Sequence, residues 1–198
     1  MKIQFNEENH QYTVDGKIVP CVSNIMKCIS CLYYTDDIPS EIIELARLKG
    51  EAVHKAIESL LLFDEYDLDE NYQAYMNKFL DWINDYNPEI IKVEYQMSNG
   101  EYAGTCDLVC KINGEYIGVD YKLTNKIHKE LIAVQEAGYD ELLKYNKINI
   151  KKWYVLHLTK THYEFKEIEI RKDIWDKCKD IYFYMNGEWY GSWRLFKN

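Results

Sequence analysis

Between residues 91 and 123 the apolar side chains stop recurring at helical spacing and alternate one in two. Asn99-Gly100 and Asn113-Gly114 cut this stretch into three segments, 91–98, 101–112 and 115–123. Period two is the signature of a half-buried strand, and Asn-Gly between such runs is the strongest short hairpin signal. The stretch therefore predicts a three-stranded antiparallel meander, around which everything else has to pack. Upstream, Ile42, Ile43, Ala46, Val53, Ile57, Leu60 and Leu61 follow Ser40, a candidate N-cap, at helical spacing, so a helix is expected over about 40–62. A second is expected over 70–86 from Tyr72, Tyr75, Met76, Phe79, Leu80 and Ile83. Downstream, the pattern predicts a helix over 127–146, strands at 153–158 and near 163–170, and a helix over 173–185. Asp15-Gly16 pairs short strands within about 10–22. The expected class is α/β (α+β): one domain over 1–198, with an N-terminal hairpin, a core over about 40–170 and an aromatic C-terminal helix and tail from 173.

Composition removes several alternatives. Nine glycines and three prolines beside 47% apolar residues exclude a disordered or collagen-like chain. The longest apolar run, Leu60 to Phe63, is far below the roughly 18 residues of a membrane span, and no signal-peptide stretch follows Met1. A cytoplasmic protein is expected, and six cysteines suit a reducing compartment better than a disulfide scaffold. The formal charge of −9 has the wrong sign for a simple nucleic-acid coat, but it is unevenly spread. Residues 1–121 carry 9 basic and 22 acidic side chains, whereas residues 122–172 carry 11 and 7. A polyanion would meet one face only.

The meander also places chemistry. With Asn113-Gly114 as a two-residue loop, Ile112 opposes Glu115 and, following that register, Asp107 opposes Asp120. The same rule at Asn99-Gly100 sets Glu94 across from Thr105. Glu94, Thr105, Asp107, Asp120 and Lys122 would then share one face, while Cys106, Leu108, Cys110, Ile112, Ile117, Val119, Tyr121 and Leu123 form the core face. Directly opposed carboxylates repel, so the pair calls for a divalent cation, a shared proton, or Lys122 bridging both on a solvated face.

Gly104-Thr105-Cys106-Asp107 followed by Val119-Asp120-Tyr121-Lys122 resembles the G-T-x-D and D-x-K elements of the PD-(D/E)XK nuclease superfamily. Gly50-Glu51-Ala52-Val53-His54 and Gln135-Glu136-Ala137-Gly138-Tyr139 resemble the G-x-x-x-H and Q-x-x-x-Y elements of its RecB-like branch. The opening His10-Gln11-Tyr12, Asp15-Gly16 and Val19-Pro20-Cys21-Val22-Ser23 is similar to the N-terminal hairpin of phage-type members, and the likeness spans roughly 10–158. It implies a restriction-endonuclease-like αβββαβ core with a central mixed sheet flanked by helices. It also implies a DNA exonuclease working in recombination or replication-end processing, like the phage and mitochondrial genome-maintenance exonucleases. A structure-specific or nicking endonuclease and a catalytically silent nucleic-acid-binding module are the alternatives.

The resemblance assigns Mg²⁺ or Mn²⁺ to Asp107, Asp120, the backbone carbonyl of Tyr121 and His54, and assigns Lys122 to the attacking water and the phosphate. Gln135, Tyr139 and Thr105 are expected at the substrate. Glu94 is a candidate member of the site, and Glu58 a candidate for orienting His54. DNA is the expected partner; a homo-oligomer or a phage recombination partner is also compatible, in the cytoplasm of a bacterial host. Cys28-Ile29-Ser30-Cys31 near Cys21 does not match the iron–sulfur cysteines of some RecB-like nucleases, since only Cys178 follows Tyr139, so buried structural thiols are expected instead of a cluster. The aromatic residues from Trp175 to Phe196 are expected in packing or a subunit contact.

Overall fold

The computed structural model describes residues 1–7, 9–33 and 39–187. Three short strands open the chain, β1 (Ile3–Asn6), β2 (Gln11–Val14) and β3 (Lys17–Val19), and form an antiparallel sheet in that order. Two single-turn helices follow, α1 (Val22–Ile25) and α2 (Lys27–Ser30). Strand β1 and these turns escaped the sequence reading because each is too short to show a period. The long helix α3 is Ser40–Phe63 and α4 is Gln73–Tyr86. Ser40 proves to be the first helical residue and Pro39 the N-cap, with no side-chain cap bond.

The meander is β4 (Glu89–Ser98), β5 (Ala103–Ile112) and β6 (Glu115–Lys122). Helix α5 (Lys129–Tyr145) carries the chain back so that β7 (Lys152–Leu158) lies parallel to β6, then β8 (Tyr163–Ile168) and α6 (Lys172–Met185) follow. The sheet order is β4-β5-β6-β7-β8, antiparallel except at β6–β7. This mixed five-stranded sheet between helical layers has the αβββαβ order of a restriction-endonuclease-like core. Among the described residues, no helix is long and apolar enough to cross a membrane.

Both faces of the sheet are covered, as a sheet flanked by helices implies, although the alternation in the meander marked only one face as core. On one side Val53, Ala56 and Ile57 of α3 and Met76, Phe79 and Trp82 of α4 pack on Leu108, Cys110, Ile117, Val119 and Tyr121. On the other, Val134, Ala137 and Leu142 of α5 and Trp175 of α6 pack on Met97, Cys106 and Val109. Cys106 and Leu108, two apart in one strand, thus belong to opposite layers. The strict alternation read from sequence fails there. In β4 the same change separates Val93 from Tyr95, and Glu94 between them has φ of +42°, a left-handed conformation unusual for a residue other than glycine. The irregular positions Glu94 and Asp107 therefore sit side by side in the sheet.

The two hairpins differ. Asn113 and Gly114 have φ of +52° and +81°, as a type I′ turn needs, and the ladder from Ile112–Glu115 to Leu108–Val119 keeps the expected register. At Asn99-Gly100 only the glycine is left-handed. The Asn99 side chain accepts from the Glu101 and Tyr102 amides at 3.0 and 3.1 Å, and Ser98 Oγ donates to the Tyr102 carbonyl, making a four-residue loop. The register moves by two, so Gln96 rather than Glu94 pairs with Thr105, and Glu94 falls opposite Asp107.

Four of the six cysteines are buried, Cys21, Cys106, Cys110 and Cys178, as structural thiols were expected to be. Trp175 is wholly buried, with Tyr182 and Phe183 packed beside the same core, whereas Tyr184 is exposed. The tail aromatics Trp189, Tyr190, Trp193 and Phe196 lie outside the described residues.

Candidate active site

The site forms where β5 and β6 part company. Their ladder ends at Leu108–Val119, one step before the expected Asp107–Asp120 pair. Asp107 instead accepts a hydrogen bond from the Tyr121 amide at 2.8 Å, so its carboxylate lies against the backbone of β6. It also faces α3, where His54 Nδ1 is 3.9 Å from its Oδ2 and 3.3 Å from Glu94 Oε1. Ligand atoms of His54, Glu94 and Asp107 all lie within 4.8 Å of one another, a grouping able to hold a metal ion. The His54 ring packs edge-on to the Tyr121 ring at 5.4 Å, which fixes its approach.

Asp120 turns toward the α5 side. It is 3% exposed, and the Lys122 ammonium lies 2.7 Å from its Oδ1 and 2.6 Å from its Oδ2. The same ammonium reaches Gln135 Oε1 at 3.4 Å, and Gln135 Nε2 donates to the Tyr139 hydroxyl at 3.0 Å. Lys122, Gln135 and Tyr139 form one connected polar row leading away from the carboxylates. Thr105 is tied to the N-terminal sheet through a 2.6 Å bond to the Tyr12 hydroxyl. The glycine before it has a steric reason, because a Cβ on Gly104 would stand 2.8 Å from Cε1 of Tyr139.

Thus the structure brings His54, Glu94 and Asp107 together, with Asp120, Lys122, Gln135 and Tyr139 beside them. Glu58, one helical turn past His54, has no hydrogen bond or ion pair among the described residues, so its expected grip on His54 is not made. Sequence reasoning missed Tyr12, which holds Thr105, and passed over Glu136, a buried acid on α5. Tyr12 gave no signal beyond its place in the opening hairpin. Glu136 did give one: it is an acid on a helix otherwise buried by Leu131, Val134, Ala137 and Leu142.

The electrostatics describe an over-filled acidic pocket. Burial drives the Asp120 carboxyl up to about 6 against the pull of Lys122, with Asp107 adding to the rise. Burial and Glu94 likewise raise Asp107, although His54 and Lys122 oppose them. Burial disfavours the His54 imidazolium, yet Asp107 and Glu94 outweigh it and hold the ring up at about 9. The Lys122 ammonium, despite burial, is held well above its usual range by Asp120 and Asp107. Carboxylates that resist ionisation without a counter-charge are a donor set suited to a hard divalent cation, with one imidazole able to join.

The histidine makes a pH-dependent contribution whose sign is fixed. Its folded-state value of about 9 lies above the ordinary 6.5, so its ion pairs stabilise fully below pH 6.5, and that stabilisation is lost as pH rises through 9. With chelator present, the melting-temperature advantage of wild type over His54→Gln should be constant below pH 6.5 and vanish above 9. A difference unchanged from pH 6 to 10 would contradict the pairing.

Comparison with known proteins adds little beyond shape. No protein-family model and no curated protein matches the chain. Among solved structures, a protein designated SSO0001 aligns over 87% of this chain and 79% of its own at 14% identity and TM-score 0.44. A protein named provisionally as an exonuclease, from Eubacterium rectale, aligns over 90% and 82% at 13% identity and TM-score 0.42. A phage-related exonuclease from Haemophilus somnus 129PT aligns over 86% and 96% at 12% identity and TM-score 0.38. Likenesses this distant carry no argument about activity, which has to come from the site.

Proposed function

We propose that the chain is a divalent-metal-dependent DNA nuclease that removes nucleotides from a DNA end. The observation that carries this reading is the convergence of His54, Glu94 and Asp107 from a helix and two strands, next to the buried Asp120–Lys122 pair. Asp107, Asp120, His54 and the Tyr121 carbonyl would hold Mg²⁺ or Mn²⁺, with Glu94 as a further acidic donor. When bound, that cation would polarise a phosphate oxygen and acidify a water. Lys122 supplies positive charge where the phosphate gains negative charge, and its anchorage by Asp120 and Gln135 keeps the ammonium aimed. Gln135 and Tyr139, already bonded to each other, present an amide and a hydroxyl to the nucleotide entering beside Lys122.

The requirement for an end rests on the resemblance to phage and mitochondrial exonucleases in the four sequence elements. End-labelled linear DNA and covalently closed circles incubated with Mg²⁺, Mn²⁺ or chelator test it. Linear DNA should shorten progressively with either metal and stay intact with chelator, and circles should survive. Internal fragments from circles would establish an endonuclease instead, and no cleavage of any substrate would leave only a binding module.

DNA should approach over the basic stretch 122–172, where Lys126 and Lys129 are exposed at the entrance to α5. Every phosphate that a lysine no longer neutralises lowers the salt slope of binding by about 0.9. Lys126→Glu with Lys129→Glu should therefore weaken binding and flatten its dependence on salt, while Lys55→Glu with Lys78→Glu should do neither. Equal effects from both pairs would remove the one-face model.

A further inference from the structure

Between the N-terminal sheet and the carboxylates runs a series of aromatic rings that the proposed function leaves without a task. Its outer member is His10, exposed and just ahead of β2. The imidazole stands edge-on to Phe5 of β1, with ring centroids 5.0 Å apart, and Phe5 packs at 4.5 Å on Tyr12, its partner across the β1–β2 ladder. Burial deepens along the series: His10 is exposed, Phe5 half-buried and Tyr12 3% exposed. The series ends at the site, because the Tyr12 hydroxyl meets Thr105 Oγ1 at 2.6 Å. Thr105 lies two residues before Asp107 in β5, a rise of about 7 Å.

Two features set these rings apart from ordinary packing. His10 has φ of +50°, a conformation that glycine or asparagine adopts at less cost, so the chain keeps a ring at an exposed place where the backbone favours a residue without one. The N-terminal sheet also belongs to the acidic part of the chain, residues 1–121 with 9 basic and 22 acidic side chains, whose charge opposes a phosphate. The flat face of a base carries no such charge, and it stacks on aromatic rings whatever its identity.

We infer that Phe5 and His10 form a stacking platform for the unpaired bases of a DNA strand whose backbone passes Asp107. The inference rests on the nuclease reading above and adds a substrate contact to it. Lys122, Gln135 and Tyr139 then hold the strand from the α5 side, and the rings hold its bases from the N-terminal sheet. Tyr12 joins platform to site, its ring supporting Phe5 and its hydroxyl bonded to Thr105.

Fluorescence anisotropy of a short labelled single strand of mixed sequence, with chelator present so that nothing is cut, tests the platform apart from catalysis. His10→Asn suits the left-handed backbone and removes the ring. It should weaken binding roughly tenfold, the size of one lost base–aromatic stack, without changing the salt slope, since stacking releases no counterions. His10→Tyr, which returns a ring, should bind like wild type. A strand of the same length with abasic sites throughout should bind wild type and His10→Asn equally. Phe5→Leu, still apolar, should weaken binding of the mixed strand in the same way; should it fail to fold, the two His10 variants decide. Wild-type affinity in His10→Asn, no recovery in His10→Tyr, an equal loss on the abasic strand, or a flattened salt slope would overturn the platform, the last by showing an imidazolium on a phosphate instead. A wild-type protein that binds no DNA would remove the nuclease reading and the platform with it, whereas DNA binding indifferent to His10 removes the platform alone.

Discussion

Asp107→Asn and Asp120→Asn should each abolish Mg²⁺-dependent cleavage while leaving a folded protein, yet they should part ways in stability. Each removes an anionic oxygen from the proposed cation site. A Lewis-acid metal contributes several kcal/mol to the transition state, and a loss of about 4 kcal/mol is a drop on the order of 10³-fold. Asparagine at 107 still accepts the Tyr121 amide bond, and it removes a carboxylate whose charge is disfavoured by burial and by Glu94. Its melting temperature with chelator should equal or exceed that of wild type. Asparagine at 120 deprives Lys122 of its ion pair and leaves a buried ammonium with only neutral acceptors, the new amide oxygen and Gln135 at 3.4 Å, so this variant should melt several degrees lower. Circular dichroism melts and a cleavage assay on the same preparations check both halves. Full activity in either variant would sink the site assignment, and a more stable Asp120→Asn would contradict the reading of its pair with Lys122.

Lys122→Ala should lose turnover by about 10² to 10³-fold, the cost of removing one preorganised charge from a phosphate-transfer site, while Mn²⁺ binding survives or tightens. The tightening follows from geometry: the ammonium sits 2.7 and 2.6 Å from the Asp120 oxygens, where a cation would otherwise bind. Single-turnover cleavage and Mn²⁺ calorimetry separate the two effects. A vanished isotherm would show that Lys122 chiefly maintains the carboxylates in place.

How much of the fold and site was legible in the sequence varied with the device involved. The type I′ turn at Asn113-Gly114 announced itself, and the register it set was right as far as Leu108–Val119. The other Asn-Gly misled because Asn99 caps the loop with its side chain instead of turning its own backbone, and a dipeptide does not reveal which it will do. Since the register moved by two residues, Glu94 arrived opposite Asp107, with its Oε1 at 3.3 Å from His54 Nδ1. The direct pairing of Asp107 with Asp120 failed for a related reason. Pattern reading assumes unbroken pleats, and at Glu94 and Asp107 the pleats break, so the β5–β6 ladder stops at Leu108–Val119 and Asp107 accepts the Tyr121 amide instead of pairing with Asp120. The second covered face is that of α5, whose Val134, Ala137 and Leu142 pack on the sheet together with Trp175 of α6, and whose interspersed Gln135, Glu136 and Asp140 hide that burial from a reading by composition.

Everything proposed for this chain requires that the carboxylates at the parting of β5 and β6 hold a divalent cation. Anomalous diffraction from a crystal soaked in Mn²⁺ tests that requirement most directly. The expected result is a peak at about 2.1 Å from carboxylate oxygens of Asp107 and Asp120, within reach of His54. A soaked crystal with no peak between those residues, or with Mn²⁺ only on acids elsewhere on the surface, would contradict it.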